Sequence, residues 1–299
     1  MTPETRKRRA YWVSELAKLS GSFENDSSRM IEELGAEIAS QGSGALLDHL
    51  RLCGAVPEQY GHDSSEEKLY SKYTDAIICE TFRAIGLKST IISARADAAD
   101  VQALSADYSL VADAKAFRLS RTAKNQKDFK IQAMDGWRND LDHAIVVCPI
   151  YQLPRRTSQI YQQAIARKVC ILSYSHLAVL LGFAERRGKA KAAKCLGTML
   201  KSLEALHLSK NAVDYWSAVN GSLVTSLKRD GDLWTAEKIA SIEALRVAKE
   251  ESLTYLRAER GRMLGLSHEQ ALEELIRLSG LDSRIAQVER IEHGRLLGD

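Results

Sequence analysis

Leu110-Val111-Ala112-Asp113-Ala114-Lys115 decides the fold: an apolar run with the texture of a buried strand ends by delivering a carboxylate and an ammonium two residues apart. Strand side chains alternate faces, so Asp113 and Lys115 share one face with Val111 while Ala112 and Ala114 take the other. A second apolar run begins at Asp100 and continues through Leu104. Pairing the two runs antiparallel around a two-residue turn at Ala106-Asp107 sets Asp100 opposite Asp113, with Cβ atoms about 4.5–5.5 Å apart. Carboxylates that close repel unless a divalent cation neutralises them. Magnesium, which favours a few carboxylates, retained waters and a phosphate oxygen, is the expected occupant. The pattern predicts a phosphodiester-hydrolysing site: Asp100 and Asp113 hold Mg2+ with help from the Ala114 carbonyl, and Lys115 orients or deprotonates the attacking water. An isolated Asp-x-Lys is more often a strand-end ion pair; the acidic residue before the preceding run and the basic segment after tip the balance here.

That basic segment places Lys115, Arg118, Arg121, Lys124, Lys127 and Lys130 at every third position, opposed only by Asp128. Such clustering gives salt-sensitive affinity for a phosphate backbone, and the interleaved Thr122, Asn125 and Gln126 have side chains suited to base edges. A solvated helix face is the plainer reading of a charge run alone. Upstream, Ser64-Ser65-Glu66-Glu67 is a capping box opening a helix to about residue 85. Glu67 is read either as the partner of Ser64 in that box or as a further catalytic carboxylate. Glu80 is a weaker candidate, and no pair of histidines has ligand spacing.

Working outward, short apolar runs over 100–104, 108–114, 144–150 and 169–173 alternate with helical segments over 124–137, 158–166 and 176–181. That alternation predicts an α/β core with a largely buried sheet. Helical periodicity covers 7–52, broken at Gly42 to Gly44, and everything beyond Glu185, including a long stretch over 234–263. Three regions are expected: helical 1–60, a catalytic and DNA-reading core over 61–185, and a helical 186–299 suited to dimerisation. At 299 residues and 45% hydrophobic the chain can bury a sizeable core. Its five cysteines are scattered singly and odd in number, so neither a disulfide framework nor a zinc site is indicated. A net charge of +3 is too mild to make the whole surface a polyanion receptor, so any nucleic-acid affinity is local. No apolar leader or membrane span is present, so a cytoplasmic protein with no membrane partner is expected.

The block from Leu110 to Lys130 closely resembles the corresponding segment of the HindIII family of type II restriction endonucleases. The likeness extends through Trp137-Arg138, Ser158-Gln159-Ile160 and His176-Leu177-Ala178, and back to Glu67-Lys68-Leu69 and Asp100-Val101. It is strong over 65–181 and loose in both flanks. The resemblance implies a PD-(D/E)xK-type core: a central mixed β-sheet flanked by helices, with helical N- and C-terminal regions. It further implies a Mg2+-dependent homodimer that cuts double-stranded DNA within AAGCTT after the first A, leaving 5′ overhangs with 5′-phosphates, beside a cognate DNA methyltransferase. On that reading Asp100, Asp113 and Lys115 carry the catalytic motif. Arg118 and the run Ser120, Arg121, Thr122, Ala123, Lys124, Asn125, Gln126 and Lys127 meet DNA, with Ala123 and Asn125 at bases and Arg121, Lys124 and Lys127 at phosphates. Ala99 stands where the motif's name has proline, and residues 91–95 lack the acid that some members carry, which makes Glu67 the leading third carboxylate. A repair or junction-resolving nuclease with the same core, and a non-catalytic DNA-binding protein, are the alternatives.

Overall fold

The structure is a computed structural model that describes residues 1–92, 98–121 and 126–290, with nothing stated of the Gln126 and Lys127 side chains. The chain forms two compact units, Met1–Ser252 and Leu253–Asp299.

The first unit opens with α1 (Pro3–Glu15) and α2 (Phe23–Leu52), where the periodicity suggested one continuous segment. Gly21, at φ +92°, turns the chain between them, and the buried Asp26 carboxylate accepts the Ser20 amide at 3.0 Å, fixing the turn. The expected break inside α2 occurs at Gly42, whose φ of +71° is not helical. Helix α3 (Ser65–Ala84) starts where the capping residues predict: the Ser64 hydroxyl accepts the Glu67 amide at 3.2 Å. The return half of the box does not form, because the Glu67 carboxylate reaches one residue further back, to the Asp63 amide at 2.7 Å.

Five strands follow in spatial order β1 (Lys88–Ile91), β2 (Val101–Leu104), β3 (Ser109–Ala114), β4 (His143–Cys148) and β5 (Val169–Ser173). The first three are antiparallel and the last three parallel, giving the mixed sheet. Val101 faces Ala112 and Leu104 faces Ser109, the register read from the sequence, and Ser105 bonds Tyr108 at 2.8 Å across the two-residue turn. Every residue of β4 and β5 is buried, as parallel strands covered on both faces require. Strand β1 is the element that periodicity missed; four residues at the sheet edge, two of them on each face, are too short to show a period.

The parallel crossovers carry α4 (Gln126–Phe129) and α5 (Ile131–Arg138) between β3 and β4, and α6 (Gln159–Arg167) between β4 and β5. Among the described residues of the expected helix 124–137, Lys130 at φ +48° separates α4 from α5. Helix α3 lies on β1 to β3, and α5 lies on β3 to β5. Beyond β5 come α7 (Tyr174–Arg187), α8 (Lys189–Lys201), α9 (Ala212–Leu227) and α10 (Asp232–Leu264). The first-unit part of α10 is fastened by ion pairs: Arg51 meets the buried Glu237 at 2.7 Å, and the buried Arg9 holds Glu251 at 2.9 Å while donating to the Ala55 carbonyl. The second unit contains the end of α10 with α11 (His268–Ser279) and α12 (Leu281–Glu289); none of its described residues is buried.

His176 shows how the core fixes a polar side chain. Trp216 stacks on the ring at 5.7 Å and Trp234 at 5.3 Å. Its Nδ1 accepts the Ser173 amide at 3.0 Å, so the neutral ring carries its proton on Nε2 and donates to Asn220 Oδ1 at 2.8 Å. Burial holds its pKa down to about 4, from an ordinary value of 6.5. Between those values the unfolded chain binds a proton that the native state does not, so stability falls as pH drops through that window, by up to about 3 kcal/mol. Urea midpoints taken from about pH 7 to about pH 4 are expected to decline less steeply in a His176→Gln variant; an equal slope in both proteins contradicts this assignment.

Candidate active site

Asp113 stands on β3, only 2% exposed, opposite Val146 of β4. Burial raises its carboxyl pKa, Lys115 opposes that rise, and the nearby Asp100 adds repulsion. Asp100 is half-buried just ahead of β2, its carbonyl taking the Ile92 amide at 2.8 Å. The β2–β3 register therefore does what the sequence requires: the two acids converge. Lys115 follows β3 directly. Its amide donates to the Val147 carbonyl at 2.7 Å, its carbonyl accepts the Tyr174 hydroxyl at 3.0 Å, and its ammonium bonds Asp113. Ala114 closes β3 beside Asp113.

A third acid joins them. Asp75, on α3, is 3% exposed, and carboxylate oxygens of Asp75, Asp100 and Asp113 all lie within 4.8 Å of one another. Burial first, then Asp100, lifts the Asp75 pKa well above the usual carboxylate range. Sequence reasoning missed this residue. The signal was present in Tyr73-Thr74-Asp75-Ala76-Ile77-Ile78, where a lone carboxylate sits among neighbours that are all buried, a placement that needs a compensating partner. The same helix sends Lys72 to Asp100 at 2.8 Å and to Asp75 at 3.6 Å.

Glu67 falls in a different group. Its oxygens gather with His62 and Asp63, and it accepts Arg118 at 2.7 Å. Glu80 pairs with Arg83 and faces the cleft without joining either acidic group. Of the segment expected to meet DNA, Arg118 is engaged inside the protein: besides Glu67 it donates to the Tyr60 and Gly61 carbonyls at 2.8 and 2.9 Å. Ser120 is exposed and bonded to Glu58 through its amide at 3.0 Å and its hydroxyl at 2.7 Å. Arg121 lies 4.9 Å from the Phe117 ring centroid and pairs with Asp128. Thr122, Ala123, Lys124 and Asn125 lie outside the described residues, as do the Gln126 and Lys127 side chains.

The backbone after β3 is braced from several directions. The Phe117 amide donates to the Gly54 carbonyl at 2.9 Å, and the Tyr151 hydroxyl lies 2.7 Å from the Gly54 and Phe117 carbonyls. A Cβ on Gly54 would come within 2.7 Å of Pro149 and 3.0 Å of Tyr174, so this contact requires glycine. A cleft of about 1570 Å³ reaches Lys72 and Asp100 and is bounded by Arg83, Lys130 and Trp137. It exceeds the roughly 300–1,000 Å³ of a small-molecule pocket and suits a polymer. The donor set fits a hard divalent cation: three convergent carboxylates, two of them buried where their ionised forms need positive charge.

Comparison with known proteins follows the same line. Residues 9–292 match the family model described as HindIII restriction endonuclease. The type II restriction enzyme HindIII of Haemophilus influenzae is 45% identical over 138 residues, 46% of this chain and 46% of that protein, so the match spans about half the length of the relative. With the family model covering nearly the whole chain, the protein belongs to the HindIII restriction endonuclease family.

Proposed function

We propose that the protein is a type II restriction endonuclease that hydrolyses double-stranded DNA with Mg2+ at a palindromic hexanucleotide, AAGCTT cut after the first A. The observation that supports this best is the gathering of Asp75, Asp100 and Asp113 beside Lys115 at the cleft, in a chain of this family. The relative it resembles is named a type II restriction enzyme. Asp100, Asp113 and the Ala114 carbonyl hold the metal, and Asp75 replaces Glu67 as the leading third carboxylate, because it lies with the other two. Glu67 is assigned to placing Arg118 and, through it, the start of the DNA-reading segment.

When bound, Mg2+ supplies Lewis-acid stabilisation of the phosphoryl oxygen and favours ionisation of an attacking water. Lys115 orients that water and offsets the charge that develops in the transition state. The water oxygen forms a bond to phosphorus as the bond to the 3′ oxygen breaks, and the 3′ oxygen takes up a proton. A 3′-hydroxyl and a 5′-phosphate remain. The segment that Arg118 anchors, through Lys127, reads and grips the duplex, with Arg121, Lys124 and Lys127 at phosphates and Ala123 and Asn125 at bases. A separate methyltransferase acting on the same site protects host DNA. Among the described residues no helix is long and apolar enough to cross a membrane.

The protein acts as a homodimer on this reading, since a two-fold sequence is matched by a two-fold protein. The uncovered apolar side chains of the second unit support it: Leu275 is 63% and Val288 66% exposed, a cost that association removes.

Digestion of a sequenced plasmid with Mg2+ is expected to give discrete fragments ending at every AAGCTT; cutting confined to branched or damaged DNA supports the junction-resolving alternative instead. Replacing Lys115 or Asp75 (Lys115→Ala, Asp75→Asn) is expected to lower cleavage by about 10²–10³-fold while duplex binding persists. Binding without any metal-dependent scission in the unaltered protein leaves only the DNA-binding reading. In sedimentation the protein is expected to run at twice its 33.2 kDa chain mass, and the paired change Leu275→Glu with Val288→Glu to shift it toward the monomer; a stable monomer with and without DNA refutes the dimer.

A further inference from the structure

One charge near the cluster has no part in the chemistry above. Lys72 rises from α3 on the same face as Asp75, three residues on, and its ammonium spans from Asp100 at 2.8 Å to Asp75 at 3.6 Å. Its side chain is 32% exposed and lines the cleft. Lys115 is committed to Asp113 on the sheet side, at 12% exposure. The cluster thus carries three carboxylates and two ammoniums, one fastened to the strand and the other reaching in from the solvent side. Lys130 and Arg83 add positive charge to the cleft wall and Glu80 a negative one, paired with Arg83.

We propose that Lys72 is the site's built-in counter-cation: in the metal-free protein its ammonium competes with a divalent cation for Asp75 and Asp100, and when the metal enters it turns into the cleft to meet a backbone phosphate. This rests on reading Asp75, Asp100 and Asp113 as metal ligands. Two positive charges drawn to the same pair of oxygens exclude one another, so the metal must displace Lys72 from Asp100. Lysine suits that exchange: it is a compact charge on a flexible four-carbon stem, with none of the fixed fork that would tie arginine to one carboxylate. Adding a dication to a cluster that keeps both ammoniums leaves surplus positive charge, which a DNA phosphate neutralises. Metal and DNA therefore strengthen each other's binding, and by linkage the effect is reciprocal. Neither ligand alone completes the site.

The test uses Mn2+ alone, titrated calorimetrically into the full-length protein and its Lys72→Met and Lys72→Arg variants. Lys72→Met is expected to bind Mn2+ about tenfold more tightly, some 1.4 kcal/mol, while Lys72→Arg, which keeps the charge and grips a carboxylate with its fork, binds it no more tightly than the parent. Equal or weaker Mn2+ binding by a folded Lys72→Met protein overturns the proposal and leaves the metal site standing. The same tenfold gain in Lys72→Arg overturns it too, because the charge is still present. Binding by none of the three removes the metal reading and the proposal with it. A second measurement holds whatever the folding of the Met variant: in the Lys115→Ala background, duplex affinity against salt is compared for Lys72 and Lys72→Arg with and without Mn2+. The salt slope of the Lys72 protein should steepen by about one on adding Mn2+, the signature of one new phosphate contact; a slope that Mn2+ leaves unchanged refutes the release.

Discussion

The structure depends on holding three carboxylates together at the edge of a low-dielectric core. Asp75 and Asp113 are almost fully buried, and burial pushes both carboxyls toward the neutral form. An uncompensated cluster of this kind is expensive, so the fold surrounds it with positive charge: Lys115 on β3's side, Lys72 on α3's. The acids come from three elements that are neighbours only in the folded state. The residue just ahead of β2 is Asp100, β3 brings Asp113 and α3 brings Asp75. The site therefore exists only when the antiparallel register and the packing of α3 on the sheet are both correct.

That dependence explains which parts were legible in the sequence. Asp113 and Lys115 announce themselves because strand alternation is local, and the pairing of Asp100 with Asp113 follows from one short turn whose register the structure reproduces. The fully buried parallel strands were visible as apolar runs, and the α3 start as a serine cap. Asp75 was not legible in the same way. Its role comes from packing α3 across β2 and β3, a contact between residues far apart in the chain that no periodicity encodes. Glu67 looked attractive because capping logic explains an acid at that position without settling where the acid points. Its carboxylate turns to Asp63 and Arg118. The missed strand β1 and the turn between α1 and α2 failed for a simpler reason: four residues give no period, and a turn fixed by a buried aspartate two elements' length from any strand gives no strong local signal beyond Gly21.

The supports behind the reacting groups are backbone contacts. Tyr174 and Tyr151, which follow the C-terminal ends of β5 and β4, place hydroxyls on the carbonyls of Lys115, Phe117 and Gly54. Arg118 closes the same loop onto α3's approach through two carbonyls and Glu67. These bonds fix the chain on both sides of Lys115 without consuming its ammonium. The backbone bonds fix where the Lys115 side chain starts, and its 12% exposure and ion pair with Asp113 limit its rotamers, which suits the positioning proposed for it.

Rigid placement on the strand and adjustable placement on the helix then divide the work. Lys115 has its amide, its carbonyl and its ammonium all engaged, and its side chain is 12% exposed. Lys72 stands on α3, and its side chain ends in an ammonium shared between Asp100 and Asp75 on a stem 32% exposed. On the proposed function, the charge that stays beside the reacting phosphorus is assigned to the first and the charge that yields its place to the second. The chain uses the same residue type for both proposed roles, and the burial of the side chain separates them: Lys115 is 12% exposed and Lys72 32%.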